Sequence, residues 1–125
     1  MKQSIDFLPE RKQRDLHELV GLIRNEVEDV VMIILYGSYA RNTYVELDIR
    51  RDYGGGKIQY MSDYDIVVVS KKRLGSLTVT VSSRVKSSFL KNKNANTQTR
   101  PSIINERITK FNNALSEGRY FYVDI

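Results

Sequence analysis

The spacing of apolar residues predicts one long helix near the start of the chain. Leucine, isoleucine and valine recur at the i, i+3, i+4, i+7 and i+11 positions of one helical face, at Leu16, Leu19, Val20, Ile23 and Val27. Pro9 and Glu10 suit the first turn, because proline lacks the N–H that would be unsatisfied there and an acidic side chain interacts favourably with the helix dipole. We therefore expect a helix over residues 9–28.

Two continuous apolar runs predict strands that are covered on both faces. Residues 30–36 read VVMIILY and residues 66–69 read IVVV, and short runs this rich in β-branched side chains are typical of buried strands. Between them, apolar residues alternate with polar ones over residues 45–49 and return at 58–60, after three glycines at 54–56. This pattern predicts a β-hairpin with a flexible tip.

The second half of the chain gives a more ambiguous pattern. Apolar side chains stand at every second position over residues 77–81, as in a strand, and at every fourth position over residues 77–89, as in a helix. Serine and β-branched residues disfavour a helix locally, but a crossover is needed before the next strand, so we expect a helix. A short strand over residues 102–105, a helix over 108–115 that stops near Gly118, and a terminal strand or docking tail complete the prediction.

The order of these elements predicts the fold class. It reads β-α-β(hairpin)-β-α-β-α after the first helix, which indicates an α/β fold with a mixed β-sheet, flanking helices and a β-hairpin insertion. The 125 residues are enough for one domain with a modest core.

Composition excludes several kinds of chemistry. The chain has no cysteine and one histidine, so disulfides, thiolate metal sites and cysteine nucleophiles are excluded and a histidine-rich zinc site is implausible. The sequence shows neither a membrane-spanning apolar run nor the apolar region of a signal peptide, so we predict a cytoplasmic protein without membrane partners.

The positive charge is concentrated in one segment. Residues 66–105 contain no acidic residue but eight basic ones, whereas the remainder carries twelve basic and fifteen acidic residues. The basic residues of that segment are Lys71, Lys72, Arg73, Arg84, Lys86, Lys91, Lys93 and Arg100. Such a field favours nucleotides, RNA or an acidic protein partner, although from charge alone a solvated basic surface is the preferred interpretation.

Two aspartates precede the second apolar run. Asp63 and Asp65 stand two positions apart, so on a strand both carboxylates project to one side, with their Cα atoms roughly 7 Å apart. Two carboxylates in a cysteine-free chain suit Mg²⁺ or Mn²⁺, which prefer oxygen ligands. The alternative is a solvated turn.

A second polar motif follows the first apolar run. Gly37 would let the backbone approach a phosphate, and the hydroxyl of Ser38 and nearby N–H groups could donate to its oxygens. Arg41 would add a cation beside the same anion. The alternative is an ordinary turn between a strand and a helix.

Together, the segments Gly37-Ser38-Tyr39-Ala40-Arg41 and Ser62-Asp63-Tyr64-Asp65 resemble the paired motif of the DNA polymerase β-type nucleotidyltransferase superfamily. They are most similar to its minimal nucleotidyltransferase domains, including bacterial ones associated with a helical HEPN domain. The opening LPERKQRDLHELVGLI and the closing NNALSEGRYFYVDI are also similar to that subgroup. The resemblance implies one nucleotidyltransferase domain over residues 1–125, with HEPN either following in a longer protein or supplied by a separate chain.

The resemblance also implies a reaction: transfer of a nucleoside monophosphate from a nucleoside triphosphate, with ATP the expected donor, to an acceptor hydroxyl. Asp63, Asp65 and a third carboxylate would hold Mg²⁺ or Mn²⁺, while Gly37, Ser38 and Arg41 would bind the nucleotide.

Glu106 is the candidate for the third carboxylate by position. Asn105 could equally be a helix N-cap with Glu106 in the first turn, and Asp124 is a weaker alternative.

The chain departs from the family pattern in two further respects. Asn42 replaces the final glycine of the first motif, and Gly37 and Asp63 are 26 positions apart, which is longer than usual. The hairpin at residues 54–56 is the obvious insertion, as a lid over the nucleotide or as a surface elaboration.

A second hypothesis is an antitoxin-type interaction module that binds a HEPN ribonuclease, with weak or no catalysis. The basic segment and the aromatic tail Tyr120-Phe121-Tyr122 would then be partner surfaces, although core packing explains the tail as well. RNA and a second copy of the chain are further candidate partners.

Overall fold

The computed structural model describes residues 4–51, 53–75, 77–94, 96–111 and 123–125. Its helices and strands follow the predicted order, and residues 108–111 are also helical. Their bounds, in chain order, are α1 Glu10–Glu26, β1 Val30–Tyr36, α2 Gly37–Arg41, β2 Asp48–Arg51, β3 Lys57–Tyr60, β4 Tyr64–Ser70, α3 Leu77–Leu90, β5 Pro101–Arg107 and β6 Val123–Asp124.

Three long strands form a mixed β-sheet in the order β5-β4-β1, and the two-residue β6 pairs with the outer side of β1. β4 runs antiparallel to β1 and parallel to β5. The register places Tyr36 opposite Asp65 on one side and Ser102 beside Asp65 on the other. The prediction of an α/β fold with a mixed sheet between helices is confirmed.

One face of the sheet is covered by α1 and α3. The buried residues of this cluster alternate along the strands and recur on one face of each helix, as amphipathic elements require. They include Leu16, Leu19, Ile23, Ile33, Leu35, Ile66, Val68, Val85 and Phe89. Each fully buried side chain of this size contributes roughly 1.5–3 kcal/mol relative to an exposed one, so this face supplies most of the core.

The opposite face of the sheet has a smaller apolar cluster. Ile34, Val67 and Val69 alternate with the residues of the first face and pack with Phe111, which lies in the helical segment 108–111. The central strands therefore have apolar side chains on both faces, which explains why β1 and β4 are continuous apolar runs rather than alternating ones.

The predicted hairpin is a separate two-stranded antiparallel sheet made of β2 and β3. Its base is closed by a reciprocal pair of hydrogen bonds: the Ser62 N–H donates to the Val45 carbonyl (2.8 Å), and the Val45 N–H donates to Ser62 Oγ (2.9 Å). Ser62 is buried, so the serine of the second motif joins the hairpin to the main sheet.

The ambiguous segment is helical, as the need for a crossover predicted. Within α3, Val85 and Phe89 are buried, whereas Leu77 and Val79 at the start of the helix are 60% and 73% exposed. The predicted helix end near Gly118 and the aromatic tail at residues 120–122 lie outside the described residues. None of the described helices is both long enough and apolar enough to cross a bilayer.

Replacing Phe89 by alanine should reduce the free energy of unfolding by about 3–5 kcal/mol, because the ring is fully buried between the helices and the sheet. Urea unfolding followed by circular dichroism measures this loss. Val79→Ala, an exposed change on the same helix, is the control and should stay within about 0.5 kcal/mol of the wild type. Equal effects of the two substitutions would contradict this packing of α3.

Candidate functional site

The antiparallel pairing of β1 and β4 brings the two sequence motifs together. β1 ends where β4 begins, so Gly37, directly after Tyr36, lies beside Asp65. Gly37 has a φ of +71°, and a Cβ added to it would lie 2.4 Å from Asp65 Oδ2. Any other residue would be strained and would collide with the carboxylate, so this position requires glycine for two independent reasons.

The two aspartates form an acidic pair at the start of β4. Asp63 is exposed, Asp65 is half-buried, and Tyr64 between them is buried on the opposite side. Burial raises the pKa of the Asp65 carboxyl above its ordinary value, and the nearby charge of Asp63 raises it further. A carboxylate whose ionised form is destabilised by burial and by a neighbouring negative charge makes a favourable place for a cation.

The remainder of the first motif forms the short helix α2. Ser38 is half-buried, and its carbonyl accepts the Thr43 N–H at 2.9 Å, while Arg41 is exposed at the end of the helix. Asn42 adopts the left-handed conformation with a φ of +59°. Asparagine tolerates this conformation better than most residues, so Asn42 ends α2 as a glycine would. The turn is therefore kept although asparagine stands in place of the final glycine of the motif.

The structure does not bring Glu106 to the two aspartates. Glu106 is in register with Val69, four positions along β5 from the Ser102 that lies beside Asp65, a distance of about 13 Å along the strand. The Glu106 carboxylate instead lies 3.5 Å from the ammonium of Lys110. Ser102, not a carboxylate, occupies the position next to Asp65.

Neither alternative for the third carboxylate fills that position. Asn105 and Glu106 both belong to β5, so Asn105 is not a helix N-cap; its amide donates to the Val68 carbonyl and to Ser70 Oγ, each at 2.9 Å. The backbone of Asp124 pairs with Ile34, on the far side of β1 from β4. Among the described side chains, no group of three or more His, Cys, Asp or Glu could together hold a metal ion.

Asp63 and Asp65 nevertheless fit a magnesium ion that is bound together with a nucleotide. Mg²⁺ is commonly held by one or two carboxylates, with substrate phosphates and waters as its other ligands. Both side chains are hard oxygen donors, and the absence of a side chain at Gly37 lets the Asp65 carboxylate lie against the backbone of the first motif.

Sequence reasoning missed the role of the middle residue of each motif. The rings of Tyr39 and Tyr64 are in contact, with centroids 4.7 Å apart, and Tyr39 also stacks on Tyr44 at 4.1 Å. The Tyr64 hydroxyl donates to Asp15 Oδ2 on α1 at 2.7 Å, and burial raises the pKa of Tyr64. The occurrence of tyrosine at both middle positions was the available signal in the sequence.

Asp65→Asn should raise the melting temperature at pH 7. Because the native Asp65 carboxyl binds its proton more tightly than an unfolded one, the free energy of unfolding falls as the pH rises through the raised native pKa. The neutral amide removes that loss, so the gain in melting temperature should be larger at pH 7 than at pH 4, because a falling pH returns the carboxyl to its neutral form. Differential scanning calorimetry at both pH values measures the gain.

The exposed Asp6 provides the control for this measurement. Asp6→Asn removes one negative charge near the start of the chain, outside the acidic pair, and should not raise the melting temperature. A decrease in melting temperature for Asp65→Asn at pH 7 would contradict the half-buried, repelled carboxylate described above.

Comparison with known proteins adds no family assignment. No protein-family model matches the chain, and no curated protein matches it. The resemblance to nucleotidyltransferases therefore stays a prediction from the two motifs.

Proposed function

We propose that this protein is a Mg²⁺-dependent nucleotidyltransferase that moves a nucleoside monophosphate from a nucleoside triphosphate, with ATP the expected donor, to an acceptor hydroxyl and releases pyrophosphate. The observation that carries the proposal is the close approach of the Asp65 carboxylate to the backbone of Gly37. Two motifs separated by 26 positions in the sequence meet at the ends of two central strands, as a shared site for a metal-bound triphosphate requires.

Each residue of the site would have a distinct role. Asp63 and Asp65 would hold the cation, and the raised pKa of Asp65 means that the ionised carboxylate gains when a positive charge is placed beside it. Bound there, Mg²⁺ or Mn²⁺ would neutralise charge on the triphosphate and activate the attacking oxygen. Gly37 would let the backbone approach a phosphate closely, and the Ser38 hydroxyl and Arg41 guanidinium would bind its oxygens.

Such a site would act mainly by positioning and charge neutralisation. Phosphoryl-type transfer needs little covalent participation from the protein, so holding the triphosphate in line with an acceptor supplies most of the rate. Two carboxylates support one metal ion with its nucleotide better than two metal ions. The acceptor hydroxyl would be supplied by a protein, an RNA end or a small molecule.

A second candidate function is favoured by one observation. Ser102 lies where a third carboxylate would complete the site, which is compatible with weak or no catalysis. The chain would then act as an antitoxin-type module that binds a HEPN ribonuclease. The exposed Leu77 lies in one shallow groove whose lining is apolar and of mixed charge, and this groove would be the surface for that partner. Its charged lining residues are Lys71, Lys72, Arg73, Glu28 and Asp29.

Titration calorimetry with Mg-ATP tests the first proposal. We expect wild-type protein to bind ATP only when Mg²⁺ is present, and Asp63→Asn or Asp65→Asn to weaken that binding by roughly 100-fold or more, since even outer-shell changes at metal sites cost about 10–100-fold. Glu106→Gln is the matched control, because Glu106 lies far along β5, and it should retain the wild-type affinity. Equal losses in Asp65→Asn and Glu106→Gln would contradict the site as described.

Charge reversal at the basic turn separates the two functions. Replacing Lys71, Lys72 and Arg73 together by glutamate should leave Mg-ATP affinity unchanged, because this turn follows the end of β4 opposite to Asp65. If a HEPN-domain partner binds this surface, pull-down with that partner should be lost in the same variant. Loss of Mg-ATP binding in this variant would contradict the separation of the two surfaces.

A further inference from the structure

A buried lysine links the tyrosines of the two motifs to α1. Lys12 is only 6% exposed although it lies in the first turns of α1. Its ammonium donates to Thr99 Oγ1 at 2.8 Å and lies 5.4 Å from the ring centroid of Tyr39 and 5.7 Å from that of Tyr64. One cation therefore contacts the middle residue of each motif.

Thr99 completes this linkage. It is 1% exposed, and its hydroxyl shares a hydrogen bond of 3.2 Å with the hydroxyl of Tyr39 while it accepts from Lys12. The next residue, Arg100, accepts the Tyr64 N–H on its carbonyl at 2.8 Å, immediately before β5. The segment before β5 is thus bonded to both motif tyrosines and to α1.

The buried cation is costly for the fold. Desolvation lowers the pKa of Lys12, and the nearest carboxylate, that of the exposed Glu46, lies 3.8 Å away, too far for a direct hydrogen bond. An apolar side chain of similar length would fill the same space without this desolvation penalty, and such replacements are often neutral or stabilising. Packing alone therefore does not explain a lysine at this position.

The geometry indicates how Lys12 can affect the relative position of the two motifs. Side chains alternate along a strand, so the face of Tyr64 that contacts Lys12 is opposite to the side that carries Asp63 and Asp65. Tyr39 likewise directly follows Ser38 in α2. Because both rings are held against one cation, the backbones of the two motifs are held in position relative to each other. This contact lies on the side of the motifs away from the candidate nucleotide site.

We propose that Lys12 is a positioning residue of the nucleotide site: together with Thr99 it holds the tyrosines of both motifs, and through them it sets the separation between Gly37-Ser38 and the aspartate pair. This inference rests on the proposed function. It assigns Lys12 no contact with nucleotide or metal, so its effect is on the geometry of binding and not on the chemistry of transfer.

The test is Mg-ATP titration calorimetry on Lys12→Met at a temperature where circular dichroism shows the variant folded. We expect a melting temperature close to that of the wild type but an affinity for Mg-ATP reduced roughly tenfold, a split that a purely structural role would not give. Lys93→Met is the matched control: Lys93 also lies over an aromatic ring, that of Phe89 at 4.4 Å, and pairs with Glu18 at 2.8 Å. This control should retain the wild-type affinity.

Thr99 provides a second pair of variants that keeps the test decisive if Lys12→Met does not fold. Thr99→Ser keeps the hydroxyl and should bind Mg-ATP like the wild type, whereas Thr99→Val removes it and should bind about as weakly as Lys12→Met. A double variant, Lys12→Met with Thr99→Val, should be no weaker than the weaker single variant, because both changes break one linkage.

The outcomes separate this inference from the proposed function. Wild-type protein that does not bind Mg-ATP overturns both. Wild-type binding with unchanged affinity in folded Lys12→Met overturns the role of Lys12 alone, as does equal affinity in Thr99→Ser and Thr99→Val. An equal loss in Lys93→Met would also overturn it, because the effect would then reflect total charge and not the linkage.

Discussion

The candidate site depends on the register between β1 and β4. Tyr36 opposite Asp65 is the pairing that puts a carboxylate against Gly37, and a slip of one residue would turn Asp65 towards α1 and Tyr64 towards the open side. Both strands are apolar on both faces, so hydrophobic burial alone specifies this register only weakly. The hydrogen bond from Tyr64 to Asp15 supplies the missing specificity, because it is formed only when Tyr64 faces α1.

Two charged side chains near this register are destabilising, and the fold does not require them. Asp65 is half-buried beside a second carboxylate, and Lys12 is buried behind the motif tyrosines. Each group would be less costly as a neutral side chain of similar shape, and the two lie on opposite sides of the same strand end. Groups whose pKa values are displaced by burial and by specific neighbours are typical of functional sites, which is compatible with the proposal that this strand end binds a ligand.

The sequence predicted the elements better than their mutual placement. α1 and β1 were evident because one apolar stripe or one apolar run defines each, whereas α3 followed only from the need for a crossover between parallel strands. Glu106 was misplaced relative to Asp65 because the register of β4 and β5 depends on α3 and its flanking loops, which no local pattern records. Lys12 looked like an ordinary polar residue of α1, since its burial arises from Tyr39 and Tyr64, which are distant in the sequence.

In the proposed function, the position of Ser102 would separate nucleotide binding from nucleotide transfer. Two carboxylates and the phosphates of the nucleotide itself can satisfy one Mg²⁺, so Asp63 and Asp65 would suffice for the proposed binding. Two-metal chemistry needs a further anionic ligand, and the hydroxyl at Ser102 is a poor substitute for a carboxylate. Efficient transfer would therefore depend on an oxygen contributed from beyond the described site, most simply by the acceptor or by the protein that carries it. The proposed site would then bind its nucleotide alone and react only when its partner is present, which would make the enzymatic and the partner-binding functions compatible.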